Sequence, residues 1–406
     1  MGATDGHTRK GVVKILVAHA AYQKHGGEDA VVEAEERLLR AHGHSVVRYR
    51  RHNEELNGRG PLGIFVAGMQ TVWSSASARE LTALLAKEKP DVVHFHNIFP
   101  LISPAAYYAC ADANVSVVQT LHNYRLLCPG ANFLRDGRVC EECLGRSVPW
   151  PGVLHGCYRE SRAATAAVTT MTAVHRGMNT WREKVGLYIA LSEFARGKFI
   201  EGGLPAGRIV VKPNFVDPDP GLKCGGGEYA LYVGRLSVEK GLRVLLGAWS
   251  RLREKIPLRI VGDGPLREEL TAEIKGKRLS SVELLGQLPP REIAALMQGA
   301  RFLVLPSVCY ENFPLAVAEA FACGLPVIAS RLGAIAEIIT DSHTGVHVAP
   351  GDAADLAAKA DWAWRNPEKL QALGNAGRQE YLSKYGPEQN YKQLMRIFGR
   401  AMQGKS

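Results

Sequence analysis

The sequence predicts an α/β protein of two doubly wound, Rossmann-like domains. Three observations predict it. The chain has 406 residues, too many for one ordinary domain. Short β-branched runs alternate with helical patterns from residue 12 onward, and a proline- and glycine-rich break separates two such series. In the first series VVKILVAH, HSVVRYR, DVVHFH, VSVVQT and GLYIAL read as strands. EDAVVEAEERLLRAHG, SARELTALLAKEK and PAAYYACADA read as the helices between them. Strands without polar alternation are buried on both faces, which implies a parallel sheet covered by helices. The break, IVVKPNFVDPDPGLKCGGGE, puts the first domain at 1–213. The second series, EYALYVG, LRIVG, VELLG, RFLVLP, LPVIAS and TGVHVAP, puts the second at 214–386. A last helical stretch, 387–406, follows Tyr385-Gly386-Pro387 and is expected to pack back on the first domain.

Apolar content of 46% and charged content of 22% are those of a folded, soluble chain. No stretch approaches 18 uncharged apolar residues, so no membrane span is expected. The opening apolar run is interrupted by His19 and reads as a first strand rather than an export signal, so a cytoplasmic location is expected. The formal charge is +10, and the surplus lies mostly in the first half: 26 Lys and Arg against 19 Asp and Glu in residues 1–213. That surplus fits either a solvated surface or attraction to phosphate groups or the inner face of a membrane. Nucleic acid is not an expected partner, because no basic run is interleaved with aromatics.

In doubly wound sheets ligands bind beyond the carboxyl ends of strands. LYVGRLSVEKG places Gly234 at a strand end, with Arg235 and Lys240 before a helix beginning near Gly241. A guanidinium and an ammonium there can neutralise two phosphates, or simply be solvated. Paired glycines in HAAYQKHGGEDAVV, Gly26 and Gly27, let a backbone approach a ligand or merely turn the chain. VGDGPL is another strand-to-helix turn, with Pro265 at the first helical position. In YENFPLAVAEAFACG a helix is expected from Phe313 to Cys323, with Asn312 as N-cap and Pro314 in its first turn. Glu319 is then partly desolvated among apolar neighbours and needs donors, either ribose hydroxyls or an arginine or amide of the protein. Glu311, at the positive end of that helix, can face a substrate hydroxyl while the amides of Phe313 to Leu315 face an anion.

Together and in this order, Glu311-x7-Glu319, YVGRLSVEKG, GDGP, PNFVD, GGED and CGLPVIAS resemble the family 4 glycosyltransferases, retaining sugar transferases of the GT-B fold, over nearly the whole chain. The resemblance implies two domains facing a cleft. It implies that Arg235 and Lys240 hold a donor diphosphate and that Glu319 binds the ribose. Glu311 and the amides of Asn312, Phe313 and Leu315 would bind the donor sugar. Gly27 would lie near the donor phosphates, Gly262 near the nucleotide, and His122 of TLHNYR would face the transferred sugar. Glu311 and His122 are thus the catalytic candidates. Pro314 departs from the glycine usual after the phenylalanine and removes one amide. The implied reaction needs no cofactor; the leaving phosphate helps deprotonate the acceptor. The acceptor is expected to be a glycan or lipid-linked saccharide in surface polysaccharide synthesis. Two rival readings are a nucleotide-sugar epimerase or hydrolase, and a donor-binding assembly subunit without turnover.

Four of the eight cysteines, Cys128, Cys140, Cys143 and Cys157, fall in a Gly- and Pro-rich insertion at 124–160, spaced C-x11-C-x2-C-x13-C. That spacing suits a structural zinc site, plain reduced thiols, or an iron–sulfur or redox centre. The segment resembles an insertion in bacterial capsule and exopolysaccharide sugar transferases. Cys110, Cys224, Cys309 and Cys323 read as scattered core or loop residues. Residues 160–183 read as one long helical pattern with Arg162, Arg176 and Arg182 in it and Arg159 just before it, either packed on its domain or resting on a membrane surface.

Overall fold

The computed structural model describes residues 11–21, 26–56, 61–223 and 225–404, so Cys224 lies outside the described residues. Two six-stranded sheets organise the chain. The first uses β1 (Lys14–Ala21), β2 (Ser45–His52), β3 (Val92–Phe95), β4 (Ser116–Thr120), β7 (Leu187–Ala190) and β8 (Ile209–Val211), in the order β2-β1-β3-β4-β7-β8. A small antiparallel pair, β5 (Leu134–Arg135) and β6 (Arg138–Val139), interrupts the series. The second sheet uses β9 (Ala230–Val233), β10 (Leu258–Val261), β11 (Val282–Gly286), β12 (Phe302–Leu305), β13 (Val327–Ser330) and β14 (Gly345–Val348), in the order β11-β10-β9-β12-β13-β14.

The strands β2-β1-β3-β4 and all six of the second sheet pair parallel, as the non-alternating pattern predicted. β3, β4 and β13 are buried along their whole length. Two readings are corrected. Ile209–Val211, taken as the start of the break, is β8: three β-branched residues favour extension, and Lys212 N continues the pairing to Ala190 O at 3.0 Å. The long helical pattern at 160–183 is two helices, Arg162–Gly177 and Thr180–Glu183, because Asn179 adopts a left-handed backbone at φ 55°.

The described residues form two compact units. One holds residues up to Thr120, Gly177–Tyr188 and the chain from Met395; the other holds Leu121–Arg176 and Ile189–Leu394. In the first, the last turns of the helix Pro387–Gln403 lie against strand residues: Ser116 Oγ donates to Ala401 O at 2.8 Å, and His94 and Phe398 are in edge contact. In the second, both faces of the sheet are covered. Leu242, Leu246, Trp249 and Leu356 belong to the core on one side, and Val317, Phe321, Ile335 and Tyr381 to that on the other. Among the described residues no helix is long and apolar enough to cross a membrane.

Helix Gly27–Ala41 is fastened to the edge strand β2 through a carboxylate. Glu36 is fully buried, yet it accepts from Arg48, from Arg50 at 3.2 Å and from Arg40 at 3.4 Å. Replacing it with glutamine leaves three guanidinium groups short of a counter-charge. Glu36→Gln is expected to cost about 1–3 kcal/mol in urea unfolding, since the arginines keep access to water.

Candidate functional site

The loops leaving β9, β10 and β12 gather the residues singled out in the sequence, at the point where the strand order reverses. Gly262, directly after β10, has φ +139°, and a Cβ there would lie 1.9 Å from the carbonyl oxygen of Gly234 after β9. The two turns therefore touch backbone to backbone. Leu236 N donates to Asp263 O, and Leu266 N to Leu236 O, both at 3.0 Å. Pro265 does not open a helix as expected. Arg267 N closes a tight turn onto Gly264 O at 3.1 Å, and the helix runs only from Arg267 to Gly276.

Gly241 plays the same part beside β12. At φ +71° it precedes the helix Leu242–Trp249, and a Cβ would sit 1.8 Å from Pro306 O. Lys240 is thereby set against the following loop. Its ammonium donates to both oxygens of Glu311, at 2.7 and 2.9 Å, and Ser307 Oγ donates to Glu311 Oε1 at 2.7 Å. Burial works to lower the Lys240 pKa, but the Glu311 carboxylate outweighs it, so the ammonium is held above the ordinary lysine value. Arg235 is exposed, and its guanidinium has no ion-pair or hydrogen-bond partner among the described residues.

The next helix is Leu315–Ala322, two residues shorter at its start than expected, and Asn312 is not its cap. A residue before proline avoids the α region, so Phe313 cannot be helical, and Pro314 takes the N-cap position at φ −73°, ψ 108°. Asn312 turns its side-chain amide to Leu121 O instead, while Ser192 Oγ donates to Asn312 O at 3.4 Å. The backbone amides of Asn312, Phe313 and Leu315 donate to no acceptor among the described residues. Three N–H groups are thus left open at a helix start, where an anion or hydroxyl is favoured. Tyr124 OH donates to Glu311 O at 3.4 Å, so the loop that carries His122 is tied to Glu311 and Asn312 at two points.

Glu319 is half-buried, and its carboxylate has no ion-pair or hydrogen-bond partner among the described residues. Burial pushes its pKa up to about 7. Among the described residues no protein group supplies donors to it.

Gly27 belongs to the other unit, where it opens the helix Gly27–Ala41. Gly26 before it has φ −132°, ψ −178°, which any residue adopts, and an added Cβ would meet only Asp29 Oδ2, at 3.9 Å. The geometry at 26 therefore does not by itself require glycine. Beside it lies a buried cluster that the sequence reading missed. His19 Nε2 meets Asp29 Oδ1 at 2.8 Å, and His94 Nε2 meets Thr120 Oγ1 at 2.8 Å. Glu35, His94 and His96 bring ligating atoms within 4.8 Å of one another, a spacing that can hold a divalent cation. The signal was available in the alternate histidines of DVVHFH and in the acidic residues of an otherwise core-facing helix.

Cys128, Cys140, Cys143 and Cys157 line a small cavity of about 10 Å³, with Arg135, Glu142 and His155 also on its wall. Burial pushes the Cys143 thiol up to about 12, and the neighbouring cysteines add to the rise.

Two family models match the chain. Residues 25–220 match Glycosyltransferase Family 4, and residues 217–380 match Glycosyl transferases group 1. The chain is 37% identical over 159 residues to the glycogen synthase of Mycobacterium tuberculosis, covering 38% of each chain. It is 30% identical over 247 residues to the phosphatidyl-myo-inositol mannosyltransferase of Mycobacterium leprae, covering 58% of this chain and 64% of that one. The chain thus spans less than two thirds of either relative's length. The solved structure of HepE from Anabaena, in complex with UDP and glucose, superposes with a TM-score of 0.69 at 18% identity, covering 95% of this chain and 99% of that one. That likeness is one of fold.

Two substitutions test the geometry. The folded pKa of Glu319 lies near 7, above the ordinary 4.5, so between those values the folded chain keeps a proton that the unfolded chain has released. Stability therefore falls as pH rises through that window, and the cost is complete above it. Glu319→Gln is expected to stabilise the ligand-free protein by about 1–3 kcal/mol near pH 8 and to change little near pH 4, as read by urea unfolding at both. Gly241→Ala is expected to lower the melting temperature by several degrees at either pH, because both its φ and its contact with Pro306 O exclude a Cβ.

Proposed function

The chain belongs to the family 4 glycosyltransferases, and we propose that it moves a sugar from a nucleoside diphosphate to a glycan or lipid-linked acceptor with retention at the anomeric carbon. The start of helix Leu315–Ala322 carries this reading: three open amides stand there between a carboxylate already held by Lys240 and a carboxylate without donors. A nucleotide sugar answers each feature. Arg235 and Lys240 meet the diphosphate, and Glu319 accepts from the ribose hydroxyls. Glu311 and the amides of Asn312, Phe313 and Leu315 meet the sugar, whose reacting face is turned to His122. Gly262 keeps the floor of the site narrow.

In the transfer the bond between the anomeric carbon and the diphosphate oxygen breaks, and the acceptor oxygen bonds to the same face. The acceptor proton passes to the departing phosphate, so atoms and charge balance without a side-chain nucleophile or a metal. Lys240 and Arg235 stabilise the charge that collects on the leaving group. Glu311 holds Lys240 charged and in place before the donor arrives. HepE binds UDP and glucose, which makes a uridine diphosphate sugar the first donor to test. The phosphatidyl-myo-inositol mannosyltransferase is named for a lipid acceptor. The basic surplus of residues 1–213 suits the same class of acceptor, at the inner face of a membrane and in surface polysaccharide synthesis.

A thermal-shift panel with UDP, GDP, dTDP and ADP checks the donor side. One nucleotide, at about 100 times its dissociation constant, is expected to raise the melting temperature by several degrees, and Glu319→Ala and Lys240→Ala to abolish the rise. With donor and lipid-linked acceptor, NMR of the product is expected to show the donor's anomeric configuration. An inverted product ends the retaining mechanism, and turnover of donor to a free or epimerised sugar favours a hydrolase or epimerase.

A further inference from the structure

We propose that Cys128, Cys140, Cys143 and Cys157 bind one zinc ion, and that the ion fixes the insertion 124–160 against the loop Tyr310–Asn312. Cysteines spread over 30 residues converge on a single cavity of about 10 Å³, which is room for about one water-sized occupant. The segment is held besides by the Arg135–Glu142 ion pair and by buried Tyr124 and Phe133, with little regular structure. Its regular structure is the two-residue strands β5 and β6 and the six-residue helix Trp150–His155. Within it Ala131 and Phe133 adopt φ of 70° and 51°, left-handed geometry uncommon for such residues, while Asp136, at 52°, does so in the Asp-Gly turn between β5 and β6 as aspartate commonly does.

A tetrahedral zinc site supplies that constraint: no three of the four sulfurs lie within 4.8 Å of one another, and four Zn–S bonds of about 2.3 Å would draw them inward. Each thiol gives its proton to solvent as its bond forms, and nothing is oxidised or reduced. The resulting site carries two net negative charges; Arg135 also lines the cavity, with its guanidinium paired to Glu142 at 2.7 and 2.5 Å.

The link to the loop runs through two aromatics. Cys128 N donates to Tyr124 O at 2.8 Å, and Cys140 N to Phe133 O at 2.7 Å. The Tyr124 and Phe133 rings are 5.0 Å apart. Phe133 lies 5.8 Å from the Tyr310 ring, and Tyr124 OH reaches Glu311 O. Two of the four ligands therefore grip the two residues that touch Tyr310 and Glu311.

Elemental analysis of the full chain, purified without chelator under reducing conditions, is expected to find about one zinc per molecule. The metal is expected to be lost in Cys140→Ser and Cys143→Ser, and kept in Cys110→Ser and Glu35→Gln. Loss in Glu35→Gln with retention in the cysteine variants assigns the ion to the buried histidines and overturns the proposal, as does a metal-free protein with these thiols free or in disulfides. In case the cysteine variants fail to fold, cobalt replacement of the wild-type metal is expected to give thiolate charge-transfer absorption, and its absence overturns the proposal equally. Stripping the metal is expected to shift the amide NMR resonances of Tyr310, Glu311 and Asn312, whose loop meets Tyr124 and Phe133. Unchanged resonances there overturn the coupling to the loop. None of these readouts uses nucleotide or turnover, so their failure is distinct from failure of the transferase reading.

Discussion

The backbone of Gly241 lies so near the carbonyl of Pro306 that no side chain fits between them, and the chemistry of the second sheet depends on that contact. It joins the start of the helix after β9 to the loop after β12, the two strands between which the order reverses. Lys240 precedes that glycine and Glu311 lies five residues beyond that proline, so the ion pair follows from the backbone contact. The same economy of space recurs at Gly262 and Gly234, where two strand ends turn against each other. Side chains on such turns are positioned by backbone that cannot relax away, which is what a site working by orientation and charge needs.

Three carboxylates show how the protein divides stability from function. Glu36 is buried among three arginines and ties a helix to a strand. Glu311 is shared between Lys240 and Ser307, and the pair is complete before any ligand binds. Glu319 has neither arrangement. A half-buried carboxylate without a donor costs about 1–3 kcal/mol, comparable to a sizeable part of a domain's net stability. In the function proposed above, the two vicinal hydroxyls of a ribose would be its donors. Activity sites are where proteins tolerate that imbalance.

The insertion is a different solution to the same requirement for order. It has almost no secondary structure, yet its aromatics reach the loop that begins the site. Proximity of the cysteines, left-handed backbone at Ala131 and Phe133 and hydrogen bonds from ligand positions to Tyr124 and Phe133 are separate observations that converge on it.

Much of this was legible in the residues. Unalternating β-branched runs could only be doubly buried parallel strands, and one glutamate in an apolar helix could only be expensive. Those are local properties, and they determined the α/β class, the strand-end loops and the identity of Arg235, Lys240, Glu311 and Glu319 as candidates. Tertiary contacts decided the rest. The helix start moved to Leu315 because Pro314 restricts Phe313, and Asn312 went to Leu121, 191 residues away in sequence, rather than to a cap. Ile209–Val211 became a strand because a partner edge was there to receive it. The buried histidines with Glu35 were overlooked because strand and helix patterns record which face is inward, not which residues of two elements meet there. Periodicity and cost are written along the chain; who supplies the partner is settled only when distant segments are brought within a few ångströms.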